Sequence, residues 1–360
     1  MSWSPPPPRA GHPYYMHDAI YAQPGALRLV TRGNGDALDG AAARLTSMDR
    51  VAIAGIGTSW HAALVGELLL AHVGRLGHRV RAFHSFDFTS YWPDLDPRSG
   101  MIVLSHRGSK RYSREAIEKA KKTGGVGIVV TGKGHDNLSV ADYTLRTVDQ
   151  ESSAAHTISY TSALALLAAL AARVGGDPDV EHTLDAIPDD LALLLGQESW
   201  EGLAARFADR RTYYVVGGGP NTATAYEAAL KLNEASYASA QGFGCEQFLH
   251  GPWAALEPAD VVFVVAPPGP SHARCLDVAR AAQAVGTPVI ALVQEGDREL
   301  ASLAAETIAI PSAPELLSPI LTVVPLQLFT YHLAIQRSHN PDTMRAHEPA
   351  RGQMLRALSL

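Results

Sequence analysis

The sequence predicts an α/β chain built from two tandem, doubly wound parallel sheets that arose by internal duplication. Three observations predict it. Short continuous runs rich in Val and Ile end in glycine, a helical pattern follows each run, and the whole series returns at an offset of roughly 160 residues. Unbroken apolar runs separated by helices read as parallel strands buried on both faces, joined by right-handed crossovers. Each half is then a three-layer α/β/α sandwich with ligands expected at the carboxyl ends of the strands.

Taken in order, residues 1–12 form a Pro-rich head expected to be extended or disordered. A helix from Met16 to Arg32 carries Ile20, Ala26, Leu27 and Leu29. Val51–Gly57 is the first strand and leads into a helix over His61–His72; its counterpart Tyr213–Gly219 leads into a helix ending near Ala235. Ile102–Gly108 pairs with Val262–Gly269, Gly127–Gly134 with Val289–Gly296, and Tyr143–Arg146 with Thr307–Ile310. A linker is expected near Gly175–Asp189, where Gly, Asp and Pro cluster. This gives a head and opening helix over 1–30, a first domain over 31–190, a second over 191–337 and a tail over 338–360.

Composition narrows the function. Hydrophobic residues make up 46% and charged residues 18% of 360, enough for two well-cored domains. A net charge of -6 excludes general affinity for nucleic acid. Two cysteines, Cys245 and Cys275, imply neither a disulfide framework nor a Cys-rich metal site. No metal-ligand spacing is present and no cofactor is implied. The N-terminus lacks the apolar core of a signal peptide, and the apolar stretch Leu316–Leu333 is interrupted by Pro319 and Pro325. A cytoplasmic location without a membrane partner is expected.

The residues just after the strands carry the chemistry. Gly57, Thr58 and Ser59 stand where a strand becomes a helix, which suits either a phosphate or a plain helix cap. The next turn combines Ser105, His106, Arg107, Ser109, Lys110 and Arg111. Cations at a helix N-terminus oppose the macrodipole, and an anionic ligand would account for them. Ser153, His156 and Thr157 follow the last strand of the first half and either complete an anion cradle or cap a helix. In the second half Glu227, Lys231 and Glu234 share one helix face. A partly buried Glu there is a candidate base, and His250, ahead of Gly251-Pro252, is a candidate acid–base group.

These segments resemble a known family. From Met16–Arg28 to Glu315–Ala334 the chain is similar to double sugar-isomerase (SIS) proteins, in particular the isomerase half of glucosamine-6-phosphate synthase. The most specific segments are ALKLNEASY (residues 229–237), the Glu246-to-Pro252 stretch and the LLSPIL-to-PLQL stretch. Fructosamine-6-phosphate deglycases and sugar-phosphate deaminases share the architecture. The resemblance implies two flavodoxin-like SIS domains and a homodimer with shared active sites. It implies Glu234 as the base that moves a proton between C1 and C2, and His250 as the ring-opening group. Lys231 and Glu227 become polar residues of the same site, and Thr58, Ser59, Ser105, Ser109 and Thr157 fall on or beside the phosphate cradle.

Three departures qualify it. No glutaminase segment with a cysteine nucleophile stands in the sequence. The family's C-terminal imine-forming lysine has no counterpart, since the tail from Arg345 lacks lysine and reads His347-Glu348-Pro349. The cradle is richer in His, Arg and Lys. The expected function is therefore C1–C2 proton transfer on a phosphorylated sugar or amino sugar. An amino-sugar-phosphate deaminase or deglycase, a non-catalytic sugar-phosphate binder, and an ammonia-fed aminotransferase with a separate glutaminase remain the alternatives.

Overall fold

The computed structural model describes residues 6–134, 138–197 and 200–358. Its strands are β1 (Arg50–Gly55), β2 (Val80–His84), β3 (Ser99–Leu104), β4 (Val126–Thr131), β5 (Tyr143–Arg146), β6 (Tyr213–Gly217), β7 (Ala240–Gly244), β8 (Val261–Ala266), β9 (Val289–Gln294) and β10 (Glu306–Ile310). They form two five-stranded, wholly parallel sheets ordered β2-β1-β3-β4-β5 and β10-β9-β8-β6-β7. Numbered within its own half, the second order repeats the first, which is the flavodoxin-like doubly wound order.

The helices are α1 (Tyr15–Val30), α2 (Gly35–Thr46), α3 (Thr58–His72), α4 (Ser85–Tyr91), α5 (Arg111–Lys122), α6 (Ile158–Gly175), α7 (Pro178–Leu195), α8 (Trp200–Arg206), α9 (Asn221–Ala235), α10 (Cys245–Leu249), α11 (His272–Val285), α12 (Arg298–Ala301), α13 (Pro319–Gln336) and α14 (Pro349–Ala357). β3, β4 and β8 are buried along their whole length, as helices on both faces require. The closing helix of each half, α6 and α13, is apolar on nearly every side and lies in the core. Among the described residues α6 alone is long and apolar enough to cross a membrane, yet 83% of it is buried inside the protein.

Two strands escape the sequence reading, and one expectation needs correction. β2 and β7 escape the pattern of apolar runs because each is a sheet-edge strand, half exposed, with the mixed sequences VRAFH and AQGFG. The segment read as a linker is the helix α7. Asp177 caps it by accepting from the Val180 N–H at 3.4 Å, Pro178 takes the first turn, and Ile187, Leu191, Leu194 and Leu195 are buried. The expected domain boundary at 190/191 therefore falls within a helix. The head, read as extended or disordered, runs without helix or strand where it is described and is tied to the body: His12 Nδ1 lies 2.6 Å from the Tyr331 hydroxyl of α13, and Asn340 donates to the Arg9 carbonyl at 3.1 Å. Residues 1–5 of that head lie outside the described residues.

The tail straps the two ends of the chain together. Asp342 accepts from the N–H groups of Tyr15 and Met16, both at 2.9 Å, and its own carbonyl accepts from Ala154 N–H at 2.9 Å. The first pair satisfies the open donors at the start of α1.

Candidate active site

At the end of β1 the chain turns through Gly57 with φ 57°, a backbone that L side chains rarely adopt, and enters α3. Thr58 and Ser59 thus sit in the first turn of α3, facing the end of the sheet. β3 ends in the turn Ser105–Lys110, closed by the Gly108 N–H on the Ser105 carbonyl at 3.1 Å. Between these turns lies a cavity of about 470 Å³. Gly57, Thr58, Ser59, Ser105, His106, Arg107, Lys110 and His156 line it from the first half. Leu230, Lys231 and Glu234 line it from α9 of the second half, and Thr343, Met344, Ala346, Leu355 and Leu358 of the tail close over it. The Ser105 hydroxyl is buried and has no hydrogen-bond partner among the described residues.

The face of α9 that meets this cavity holds a buried ionic cluster. The Glu227 carboxylate is fully buried and takes Thr58 Oγ1 at 3.1 Å, His61 Nδ1 at 2.7 Å and Lys231 Nζ at 3.5 Å. Lys231 donates a second bond to Glu234. Burial pushes Glu227 up, but Lys231 and the His61 bond outweigh it and hold its pKa below the ordinary carboxylate value. Burial opposes the charge of Lys231, yet Glu234 and Glu227 raise its pKa above the usual lysine range. Glu234 goes the other way: burial raises its pKa although Lys231 pulls it down. The cluster thus combines a fixed ammonium with a carboxylate that takes up a proton more readily than usual, which is what a proton shuttle needs.

Behind the cradle Glu151 is buried and accepts from the N–H groups of Thr157 at 2.8 Å and Ser159 at 3.0 Å, and from both hydroxyls. It anchors the start of α6. Burial opposes its charge, while His156, His106 and these hydrogen bonds hold its pKa down. His156 is pushed down to about 4, chiefly by burial, so its ring is neutral near pH 7. Its ring stands edge-on to His106, with centroids 5.2 Å apart.

Several expected site residues are not brought into the cavity. The Thr157 hydroxyl is turned to Glu151, and Ser153 is buried without lining the space. Ser109 is exposed and does not line the cavity, and His347 is exposed beside Thr343. His250 is 75% exposed, pairs with Glu246 at 3.2 Å and does not line the cavity of its own chain. Of the basic turn, Arg107 and Lys110 face the cavity while Arg111 turns out to Glu115. His61 and Glu151 were not singled out in the sequence: His61 looks like a residue of an apolar helix face, and its partner lies 166 residues away. The run Glu151–Ser153, with a carboxylate ahead of hydroxyls and a helix start, was the available signal for Glu151. Among the described residues no group of three His, Cys, Asp or Glu side chains is placed to hold a metal ion.

The SIS domain family matches residues 44–173 and 206–337, one match per half. The chain is similar to the isomerizing glutamine–fructose-6-phosphate aminotransferase of Thermococcus kodakarensis, 33% identical over 350 residues that cover 94% of this chain and 58% of that protein. It is also similar to the protein of that name from Pyrococcus horikoshii, 34% identical over 347 residues that cover 94% and 57%. The chain therefore spans a little over half the length of these relatives. Among solved structures, the C-terminal domain of glucosamine-fructose-6-phosphate aminotransferase from Francisella tularensis superposes with a TM-score of 0.83 at 20% identity, covering 93% of this chain and 99% of that one. Tagatose-6-phosphate ketose/aldose isomerase from Escherichia coli gives 0.79 at 19% identity, covering 95% and 98%. These two likenesses establish the shared fold.

Proposed function

The chain belongs to the SIS domain family, and we propose that it is a phosphosugar enzyme of the aldose–ketose isomerase type, moving a proton between C1 and C2 of a phosphorylated sugar or amino sugar. One observation carries this reading: a single cavity has an anion cradle on one wall and the Glu234–Lys231 pair on another. Thr58, Ser59, Ser105 and Lys110 hold the phosphate, with the N-terminus of α3 behind it. Glu234 takes the proton α to the carbonyl and returns it to the neighbouring carbon, and the Lys231 ammonium stabilises the enediolate oxygen that develops between. Because Glu234 must be ionised to act as base and its pKa is raised, activity is present above that pKa. It is lost as pH falls through a region above the ordinary carboxylate range.

Deuterium incorporation at C1 or C2 of hexose and aminohexose phosphates in deuterated water measures the step directly. Glu234→Gln is expected to lose on the order of 10²–10⁴-fold in exchange while ligand still raises the melting temperature. Unchanged exchange removes Glu234 from the role.

The working unit in this proposal is a cytoplasmic homodimer, in which the partner's His250 enters the site and opens the sugar ring. His250→Ala is then expected to slow a cyclic substrate more than an open-chain one, and equal losses on both refute the assignment.

A further inference from the structure

The duplication extends to the strand ends, and there the second half holds a group that the proposed reaction does not use. In the first half Gly57, with φ 57°, stands in the turn after β1, and Lys110 stands at the head of α5. In the second half Gly219, with φ 52°, stands in the turn after β6, and Ser271 stands at the head of α11. The space beside the first pair is cavity. The space beside the second pair holds the carboxylate of Glu315. That carboxylate accepts from the backbone N–H of Ser271 at 3.3 Å and from the Ser271 hydroxyl. A Cβ on Gly269 would come within 2.5 Å of the Glu315 carboxyl group, and one on Gly219 within 3.8 Å of Glu315 Oε1. Gly269 leaves room for this one side chain, and Gly219 touches it at ordinary contact distance. Glu315 stands four residues ahead of α13, as Ala154 stands four ahead of α6. Ala154 lines the open cavity of the first half.

We infer that the second half carries a duplicate of the anion site which Glu315 keeps closed, so that each chain takes one phosphate monoester rather than two. The clause "one rather than two" rests on the proposed reading of the first cavity; the closed site itself does not. An N-terminal N–H and hydroxyl at the head of a fourteen-residue helix favour an anion, and here the chain supplies its own. A tethered carboxylate is present at a high effective concentration, so free phosphate competes poorly with it.

Calorimetric titration of the full chain with inorganic phosphate tests this. The native chain is expected to bind one phosphate and Glu315→Ala two, with Glu315→Gln, which keeps both the bulk and an acceptor for Ser271, still binding one. Ala154→Glu places a carboxylate at the equivalent point of the first half and is expected to weaken phosphate there by about tenfold or more. Two phosphates on the native chain, or a folded Glu315→Ala chain that gains none, overturns the inference. Unweakened binding by Ala154→Glu overturns the equivalence of the two halves, and does so even if Glu315→Ala fails to fold. A native chain that binds no phosphate while Glu315→Ala binds one removes the reading of the first cavity and leaves the closed site standing.

Discussion

The first half leaves the space above its strand ends open and lines it with hydroxyls and cations; the second half fills the same space with Glu315. The two sheets repeat one strand order, and both first turns use a glycine in the left-handed region. The helices that follow those turns also differ. The buried face of α3 is apolar through Val65, Leu69 and Leu70 after the polar Thr58 and His61 of its start, whereas that of α9 carries Glu227 and Lys231, with Glu227 held by Thr58 and His61. Duplication copied the fold but divided the chemistry: one half supplies the cradle and the other supplies the charged helix. A site assembled this way depends on the packing of α3 against α9, so the seam between the halves is also where charge is most costly to disturb.

The largest expected effect lies on that seam. Lys231→Met leaves the buried Glu227 with only Thr58 and His61 as partners and the half-buried Glu234 without its cation, which is expected to cost about 3–5 kcal/mol of stability. Thermal unfolding measures it, and a melt unchanged from the parent would mean that the cluster is more hydrated than its burial indicates.

The second test bears on the first half alone. The unfolded chain protonates His156 near its ordinary value of 6.5, whereas the folded chain does so only at about 4. The unfolded state therefore binds more protons in that window. Stability is full above the ordinary value and falls as pH drops from 6.5 toward 4, by on the order of 2 kcal/mol because the ring keeps some contact with cavity water. His156→Gln is expected to flatten this slope in a pH series of melts, and an unaltered slope would assign it to other histidines whose pKa burial lowers, His84 and His332 first among them.

The smallest effect separates the open cradle from surface charge. Burial and the nearby Arg107 lower the pKa of Lys110, so an anion in the cavity relieves both. Lys110→Ala is expected to weaken phosphosugar binding by about tenfold, on the order of 1.4 kcal/mol, and to flatten its salt dependence. Binding like the parent at low and high salt would make the basic turn decoration.

The interior strands were legible in the sequence because strands buried on both faces must be apolar without interruption, and no other element of that length is. The strand-end turns were legible because sheet topology fixes where ligands sit, and the shared face of Glu227, Lys231 and Glu234 because 3.6 residues per turn fixes it. Local sequence alone determined these. It did not reveal β2 and β7, which take their hydrogen bonds from a neighbouring strand rather than from an apolar pattern of their own.

Tertiary structure decided the rest, because burial and partner choice depend on residues far apart in the chain. It took the α9 face, which spacing alone reads as a solvated ion pair, and buried it against Thr58 and His61. It turned the Thr157 hydroxyl to Glu151, away from the cradle, and left His250 facing outward from its own chain. It also set Glu315 where the duplicate cavity would open. Glu315 and Ala154 occupy matching places ahead of their helices, and only the folded chain brings one of them onto the waiting N–H of Ser271.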